Sequence, residues 1–474
     1  MEAWNKLAQM SPEAVRGIQD KYFKELVQKE IPGHPYYRDK LASEGIDISS
    51  IKGLDDLKRL PFTEKEDIMP PGELMHPWKF VLEAPSEDEC SKGGLLSRLF
   101  KKKGSGTGKA EYGLYQLFYT AGRTAEKPVS LVFTGRDIDN LQKIGLRSFE
   151  MWGFDRDYNV INAFSYFPHV SFWQQFYTTT HLQSTAIQTG GSRVLGTQRL
   201  AGILRNTGAR VLMTFPGYAD YLFQVLEVAG VSLPGLEAVV LGMEDASPEL
   251  IDRIKAGMEK AGAADTRVYR SYFVSEAKAG WPECSPGCGY HVIPDHALVE
   301  IVDPQTGEPR GEGEPGEIVV TNLDARGTLL LRFKTGDLAQ GGITYEPCPG
   351  CGRAFPRLLG NIDRKSNYCE VNTGEDKKTL DFNRFRRKLF EYPWLKQWYL
   401  EINEGASGDE LKLVIFAPEA GGQEDLTGKL AREMEQDTGI PIRVESSTLE
   451  EIINRQGMER RITEKRLFDL RENR

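Results

Sequence analysis

Between residues 115 and 345 the chain alternates short, apolar, β-rich runs with longer stretches of helical spacing, and this alternation restricts it to sheets covered by helices. The runs at 129–133, 160–164, 209–214 and 238–241 are dominated by apolar residues. The stretches at 138–151, 198–206, 218–229 and 248–260 carry apolar residues at helical intervals. A strand that is apolar on both faces needs cover on both, as a parallel strand between helices has. Residues 298–302 and 317–321 flank a turn region rich in Gly, Pro and Glu, which predicts antiparallel strands of a smaller β-subdomain.

At 474 residues the chain exceeds what one hydrophobic core organises, so two domains are expected. The pattern changes beyond Gly360. A helix at 380–391, strands at 398–402 and 411–416, a helix at 426–436 and a strand at 442–444 predict a compact α+β unit. The boundary falls near 361–363, giving a large domain over 1–361 and a small mobile one over 362–474. The expected class is α/β: a large N-terminal domain of mixed sheets covered by helices with a β-subdomain, followed by a small α+β domain. Residues 1–80 read as helices and turns, with Ser11 as an N-cap ahead of Pro12 at the first helical position. Residues 84–111 are polar, Gly-rich and charge-segregated, and read as a mobile insertion. The basic stretch 95–103 inside it reads as a solvated loop.

Composition narrows the function. The net charge of −9 argues against a general nucleic-acid binder, which would present a basic field. No run reaches the roughly 18 apolar residues of a membrane span. The N-terminal MEAWNKLAQMSPEAV lacks a basic segment followed by an apolar one, so no secretory signal is expected. These features point to a cytoplasmic protein acting on a small molecule. A homodimer or an enzyme partner is compatible with them.

Four of the six cysteines form two close pairs, Cys284-x3-Cys288 and Cys348-x2-Cys351, each flanked by Gly and Pro. Tight turns let two sulfurs converge on one ion, so this spacing predicts a tetrahedral Zn²⁺ site. His291 is the alternative to one of the sulfurs. Four protein ligands close the site, which makes it structural; the segment 284–351 is then a zinc-stapled subdomain. Cys90 and Cys369 stand apart from it.

A second group of residues sits where strands end. Leu241-Gly242-Met243-Glu244 precedes a helix cap at Ser247-Pro248; Tyr272-Phe273-Val274-Ser275-Glu276 and Thr335-Gly336-Asp337 follow other strands. Open α/β sheets bind ligands at strand C-termini. An aromatic there stacks on a base, one carboxylate holds Mg²⁺ against phosphates, and another accepts from ribose hydroxyls.

In order and spacing these segments resemble the adenylate-forming enzymes, in particular the phenylacetate-CoA ligase branch. The resemblance is carried by LPFTEKEDI (60–68), by the run from ECSPGCGYHV (283–292) to LLRFKTGDL (330–338), and by CPGCGR followed by RLLG (348–360). It implies an enzyme that makes an acyl-adenylate from ATP and a carboxylic acid, then turns its C-terminal domain so that coenzyme A attacks. It further implies that Gly242, Met243, Glu244, Tyr272 and Phe273 line the adenine pocket. Glu276 would bind Mg²⁺, Asp337 the ribose, and Asp363 would be the hinge. Thr120, Gly122, Arg123, Thr124 and Lys127 match the family's phosphate loop. The acid is expected beside Tyr166, Phe167, His169, Phe215 and Pro216, and their aromatic character suggests an aromatic or other apolar acid.

Three departures bear on mechanism. In the phosphate loop Arg123 replaces a small hydroxyl residue and Ala125 replaces a glycine. Around the hinge, Asn361 and Arg364 replace an arginine and an acid of the family pattern. The family's C-terminal lysine aligns with Met458, whose thioether supplies no cation. Lys465 is then the nearest substitute, with Arg460 and Arg461 as further cations. Two other readings stay open: an adenylate-only or acyl-transfer relative working with a partner, and a nucleotide- or acyl-binding subunit without turnover.

Overall fold

The computed structural model describes residues 2–69, 77–82, 111–120, 129–374, 376–406, 408–418, 426–458 and 464–471. The insertion read at 84–111 lies, except for Glu111, outside these residues. The architecture is mixed α/β, and the chain divides into two compact units. One comprises Met1–Arg156, Pro168–Gln183 and Ser271–Gly360; the other comprises Asp157–Phe167, Ser184–Arg270 and Asn361–Arg474. The chain therefore crosses between units several times before residue 360.

In the first unit the N-terminal helices and the antiparallel strands share one core. Helix Pro12–Glu25 starts as its sequence demands, with Ser11 accepting from the Ala14 N–H and proline at the first position. Its Phe23 packs with Leu26, Tyr37, Phe80, Phe118, Phe133 and Leu330 in a continuous buried cluster. Helix Gly135–Trp152 opens on a reciprocal cap between Thr134 and Asp137 and stops at Gly153, in the left-handed region. Helix Val170–Leu182 lies against it at Gly145, where a Cβ would come 1.8 Å from Thr178 Oγ1. The strands Ala297–Val302, Gly316–Asn322 and Phe333–Ala339 form an antiparallel meander, as the sequence indicated for the first two.

In the second unit four strands run parallel, in the spatial order Ala186–Gln188, Val160–Asn162, Val211–Thr214, Ala238–Gly242. The last three are buried throughout, which is why they read as largely apolar runs. Helices Thr197–Thr207, Pro216–Val228 and Pro248–Lys260 follow the strands in sequence, and Gly257 lets the third approach Phe223 of the second closely. The strand anticipated through residue 164 ends at Asn162, whose side chain accepts the Phe164 N–H at 3.3 Å and turns the chain.

Residues 361–474 contribute a second sheet, ordered Ile442–Ser446, Gly408–Phe416, Gln397–Gly405, Leu467–Asp469. Its core is aromatic, with Trp398 packed edge-on to Phe382, Phe385 and Phe390. The hairpin Tyr368–Asn372 with Lys377–Asp381 and the helix Leu449–Gln456 complete this part. No helix among the described residues is long and apolar enough to cross a membrane.

One ion pair is fully enclosed in the first unit. Lys278 Nζ lies 2.9 Å from Asp137 Oδ2, and both side chains are 1% exposed. Removing one partner leaves an uncompensated buried charge. Lys278→Met is therefore expected to destabilise the protein by about 3–5 kcal/mol, and Lys278→Met combined with Asp137→Asn by much less than the two single changes together. Chemical denaturation followed by fluorescence and circular dichroism checks both.

Candidate active site

The strand-end segments of the first unit converge on one place. Tyr272 sits near the end of strand Arg267–Val274, and its hydroxyl donates to Asp337 Oδ2 at 2.6 Å. Asp337 reaches it because its strand is bulged. Glu317 pairs with Leu338 and Val319 with Lys334, so residues 335–337 face Ile318 alone. Gly336, at φ 72°, supplies the left-handed residue this requires. Thr335 fixes the bulge by donating to the Ile318 carbonyl at 2.8 Å and accepting the Asp337 N–H at 3.1 Å. The TGD sequence is thus a device for aiming one carboxylate.

Phe273 is buried against Gly280 on the paired strand, where a Cβ would come 2.4 Å from the ring. Ser275 and Glu276 occupy the turn that follows. The Glu276 carbonyl accepts from Asn322 Nδ2 at 3.1 Å, which anchors the backbone beneath its half-buried carboxylate. His169 joins this group: Nε2 is 3.2 Å from Ser275 Oγ, while Nδ1 accepts the Ser171 N–H at 3.4 Å. An accepting Nδ1 puts the ring proton on Nε2, which then donates to Ser275. Sequence reasoning placed His169 beside the acid but had no signal for its pairing with Ser275, 106 residues away.

Thr120 stands at the near end of the segment matched to the family's phosphate loop, pairing with Val129 through its N–H and its Oγ1. Gly122, Arg123, Thr124 and Lys127 lie outside the described residues.

The other residues expected at the nucleotide, the acid and the hinge belong to the second unit. Gly242 ends its strand, and Met243 follows at φ 70°, a strained conformation for a residue with a side chain. Glu244 precedes Asp245, whose side chain is 6% exposed and 2.9 Å from Arg386 Nη2; burial pushes the Asp245 carboxyl above its usual range while Arg386 opposes this. Phe215 packs edge-on to Phe164 and leads into Pro216, the first residue of its helix. Tyr166 is exposed and Phe167 half-buried. Asp363 is buried and bound by Arg387. Neither arginine was anticipated, because such long-range pairs leave no local pattern.

The C-terminal segment is also in this unit. Met458 is 5% exposed and belongs to the cap of helix Leu449–Gln456, where Gly457 takes the left-handed conformation. Lys465 is exposed, 5.1 Å above the Phe468 ring. Its neighbours point inward: Glu464 pairs with Arg466 at 2.6 Å and lies against Gly217, where a Cβ would come 2.2 Å from Glu464 Oε1. Arg460 and Arg461 lie outside the described residues.

The cysteine pairs come together in the first unit. One donor atom each from Cys284, His291, Cys348 and Cys351 fall within 4.8 Å of one another. Cys288 Sγ is 3.4 Å from Cys284 Sγ, so five donors stand where four are needed. His291 Nδ1 lies 3.2 Å from the Pro282 carbonyl, an arrangement that turns Nε2 toward Cys351 at 3.4 Å. Gly350 lets the chain approach closely there, since a Cβ would come 2.2 Å from Ser285 Oγ. Soft thiolates with an oriented imidazole fit Zn²⁺.

The chain is similar to known proteins in sequence and in fold. The family model of the AMP-binding enzymes matches residues 113–323. The chain is 28% identical over 368 residues to a phenylacetate-coenzyme A ligase of Thermus thermophilus, covering 76% of this chain and 73% of that one. It is 23% identical over 417 residues to the phenylacetate-coenzyme A ligase of Escherichia coli K12, covering 86% and 84%. Among solved structures, 2-hydroxyisobutyryl-CoA ligase in the postadenylation state with 2-HIB-AMP superposes with a TM-score of 0.75 at 19% identity, covering 98% of this chain and 90% of that one. That likeness establishes a shared fold.

The Tyr272–Asp337 bond joins a hydroxyl to a buried carboxylate. Tyr272→Phe is expected to lower stability by about 1.5–3 kcal/mol, and adding Asp337→Asn to cost little more. A double-mutant cycle in denaturant measures the coupling.

Proposed function

We propose that this chain, which the family model of the AMP-binding enzymes matches over residues 113–323, is an AMP-forming ligase that joins an aromatic or other apolar carboxylic acid to coenzyme A. The observation that carries this is the convergence of Tyr272, Asp337, Ser275 and His169 on one place, in a chain similar to phenylacetate-coenzyme A ligases over three-quarters of its length.

A carboxylate oxygen of the acid attacks the α-phosphorus of ATP, the bond to the β-phosphate breaks, and pyrophosphate leaves. The thiolate of coenzyme A then attacks the acyl carbon, the bond to phosphate breaks, and AMP leaves. By resemblance to the family, Tyr272, Phe273, Gly242, Met243 and Glu244 are the residues assigned to the adenine. Asp337, its plane set by the Tyr272 hydroxyl, accepts from the ribose. Ser275 receives the His169 proton on its oxygen, so its own O–H is directed to an anionic oxygen of the reacting groups. Glu276 is the carboxylate for Mg²⁺, which would offset phosphate charge. Thr120 holds the base of the phosphate loop, and Phe215, Pro216, Tyr166 and Phe167 form a wall suited to an apolar acid. A structural Zn²⁺ held by Cys284, His291, Cys348 and Cys351 would staple the turns that carry them.

One observation favours a second reading, capture of a preformed adenylate with slow adenylation. Met458 is buried in the place of the family's lysine, and Lys465 is directed over Phe468. Pyrophosphate exchange separates the two. Purified protein given ATP, Mg²⁺, coenzyme A and a panel of aromatic acids is expected to release AMP and acyl-CoA in equal amounts. Absence of AMP release and of pyrophosphate exchange across the panel refutes the ligase. Thioester formation from a synthetic acyl-adenylate without exchange selects the second reading.

The metal is tested separately. Elemental analysis is expected to find one zinc per chain, lost in Cys351→Ser and His291→Ala and retained in Cys288→Ser. Loss in Cys288→Ser with retention in His291→Ala would reassign the fourth ligand.

A further inference from the structure

Two adjacent arginines on one helix hold both the nucleotide segment and the hinge residue. Helix Phe382–Phe390 carries Arg386 and Arg387 side by side. Arg386 Nη2 lies 2.9 Å from Asp245 Oδ2; Arg387 places Nη1 2.6 Å and Nη2 3.4 Å from the two oxygens of Asp363. The two carboxylate side chains are 6% and 1% exposed. Asp245 directly follows Gly242-Met243-Glu244, and Met243 is held at φ 70°. Such a backbone persists only where its surroundings fix it, and the Asp245–Arg386 pair does so one residue beyond Glu244.

The helix is itself firmly seated. Arg253 donates to the carbonyls of Tyr392, Leu395 and Lys396, just past its C-terminal end, while also pairing with Asp220. Near its N-terminal end Asn383 bonds both the N–H and the carbonyl of Arg364, the residue after the hinge. Loop, helix and hinge therefore form one ion-paired assembly.

We propose that Arg386 is a positioning residue for the nucleotide, acting through Asp245 to hold residues 242–244 in the shape that receives adenine, and that Arg387 ties the same helix to Asp363. This rests on the reading that places adenine at 242–244 and the hinge at Asp363. Because the arginines are neighbours on a rigid helix, a turn about Asp363 that breaks the second pair also draws Arg386 from Asp245. That strands a buried carboxylate, which is unfavourable. A nucleotide that keeps residues 242–244 in place keeps Asp245 presented to Arg386, and by linkage the pair favours the nucleotide to the same degree.

The contact of Arg386 is one-armed, so a lysine can replace its charge. Arg386→Met is expected to raise KM for ATP about tenfold, with KM for the acid and for coenzyme A changing by less than about twofold. Arg386→Lys is expected to recover most of the loss, and Asp245→Asn to reproduce it. A merely structural role would move all three KM values together and would not separate lysine from methionine. An unchanged KM for ATP, a parallel rise in all three, or equal damage in the lysine and methionine variants overturns the proposal. Where Arg386→Met does not fold, calorimetric ATP binding to Arg386→Lys and Asp245→Asn decides, with affinity near wild type expected for the first and a clear loss for the second; any other pattern overturns it. If the wild type binds ATP but makes no acyl-CoA, the ligase reading falls and the positioning role is read from those affinities. If the wild type binds no ATP, both fall.

Discussion

Asp137 is the point at which three separate stretches of the first unit meet. Its carboxylate accepts from the Thr134 N–H and hydroxyl, from the N–H groups of Arg326 and Gly327, and from Lys278 Nζ. Burial works to raise its pKa, but the Lys278 charge and these donors together hold it below the usual carboxylate range. Burial also lowers Lys278, against the pull of Asp137. Lys278 closes the turn that carries Ser275 and Glu276, at φ 59°, and also donates to the Val132 carbonyl. Gly327 is pressed so tightly onto this hub that a Cβ would come 2.1 Å from the Val132 carbonyl. The start of helix Gly135–Trp152, the turn at 324–328 and the turn after Tyr272-Phe273 are thus registered by one carboxylate.

From that anchor the chemistry of the strand ends follows. The strand leading to Tyr272 continues past Phe273 into the Lys278 turn, so the aromatic ring and the Glu276 carboxylate are placed by an ion pair they do not touch. On the meander, the bulge at 335–337 makes the complementary adjustment by turning Asp337 to meet the Tyr272 hydroxyl. Regular pairing through residue 337 would set the side chain by simple alternation, with no extra residues to re-aim it.

Three of the four parallel strands, Val160–Asn162, Val211–Thr214 and Ala238–Gly242, and the helices Thr197–Thr207, Pro216–Val228 and Pro248–Lys260 were legible because burial on both faces leaves mostly apolar residues between turn signals; the partly buried Ala186–Gln188 was not. The Pro248–Lys260 helix was bounded to the residue by Ser247 and Pro248 at one end. Helix Val170–Leu182 was not anticipated as a helix: its VSFWQQFYTTTHL sequence is aromatic and Thr-rich, and buried Gln174 and Gln175 break the apolar stripe. The hairpin at 368–381 escaped notice since its strands are largely exposed and carry little apolar patterning. At the site, Tyr272, Phe273 and Asp337 were read from strand ends and from family resemblance. Their mutual bond, the His169–Ser275 contact and the Arg386 and Arg387 pairs were not, for each joins residues with no shared local period. The cysteine pairs announced a cluster of donors that could hold a metal ion, and His291 was named as an alternative ligand; only geometry could bring its Nε2 toward Cys351 while Cys288 stands beside Cys284.

The C-terminal strand limits where a compensating cation can come from. In an extended segment successive side chains point to opposite sides, and here Glu464 and Arg466 point inward while Lys465 points out. Arg466 is committed to Glu464, to the Trp398 carbonyl and to Gln397, so its charge serves the fold. Glu464 in turn places a carboxylate against Gly217, at the start of the helix that carries Pro216. For Lys465 to exchange sides with Glu464 the strand must shift by one residue, which would undo the pairing of Leu467 with Leu400 and of Phe468 with Glu401. Bringing Lys465 to the face that Glu464 occupies therefore requires a change in this sheet.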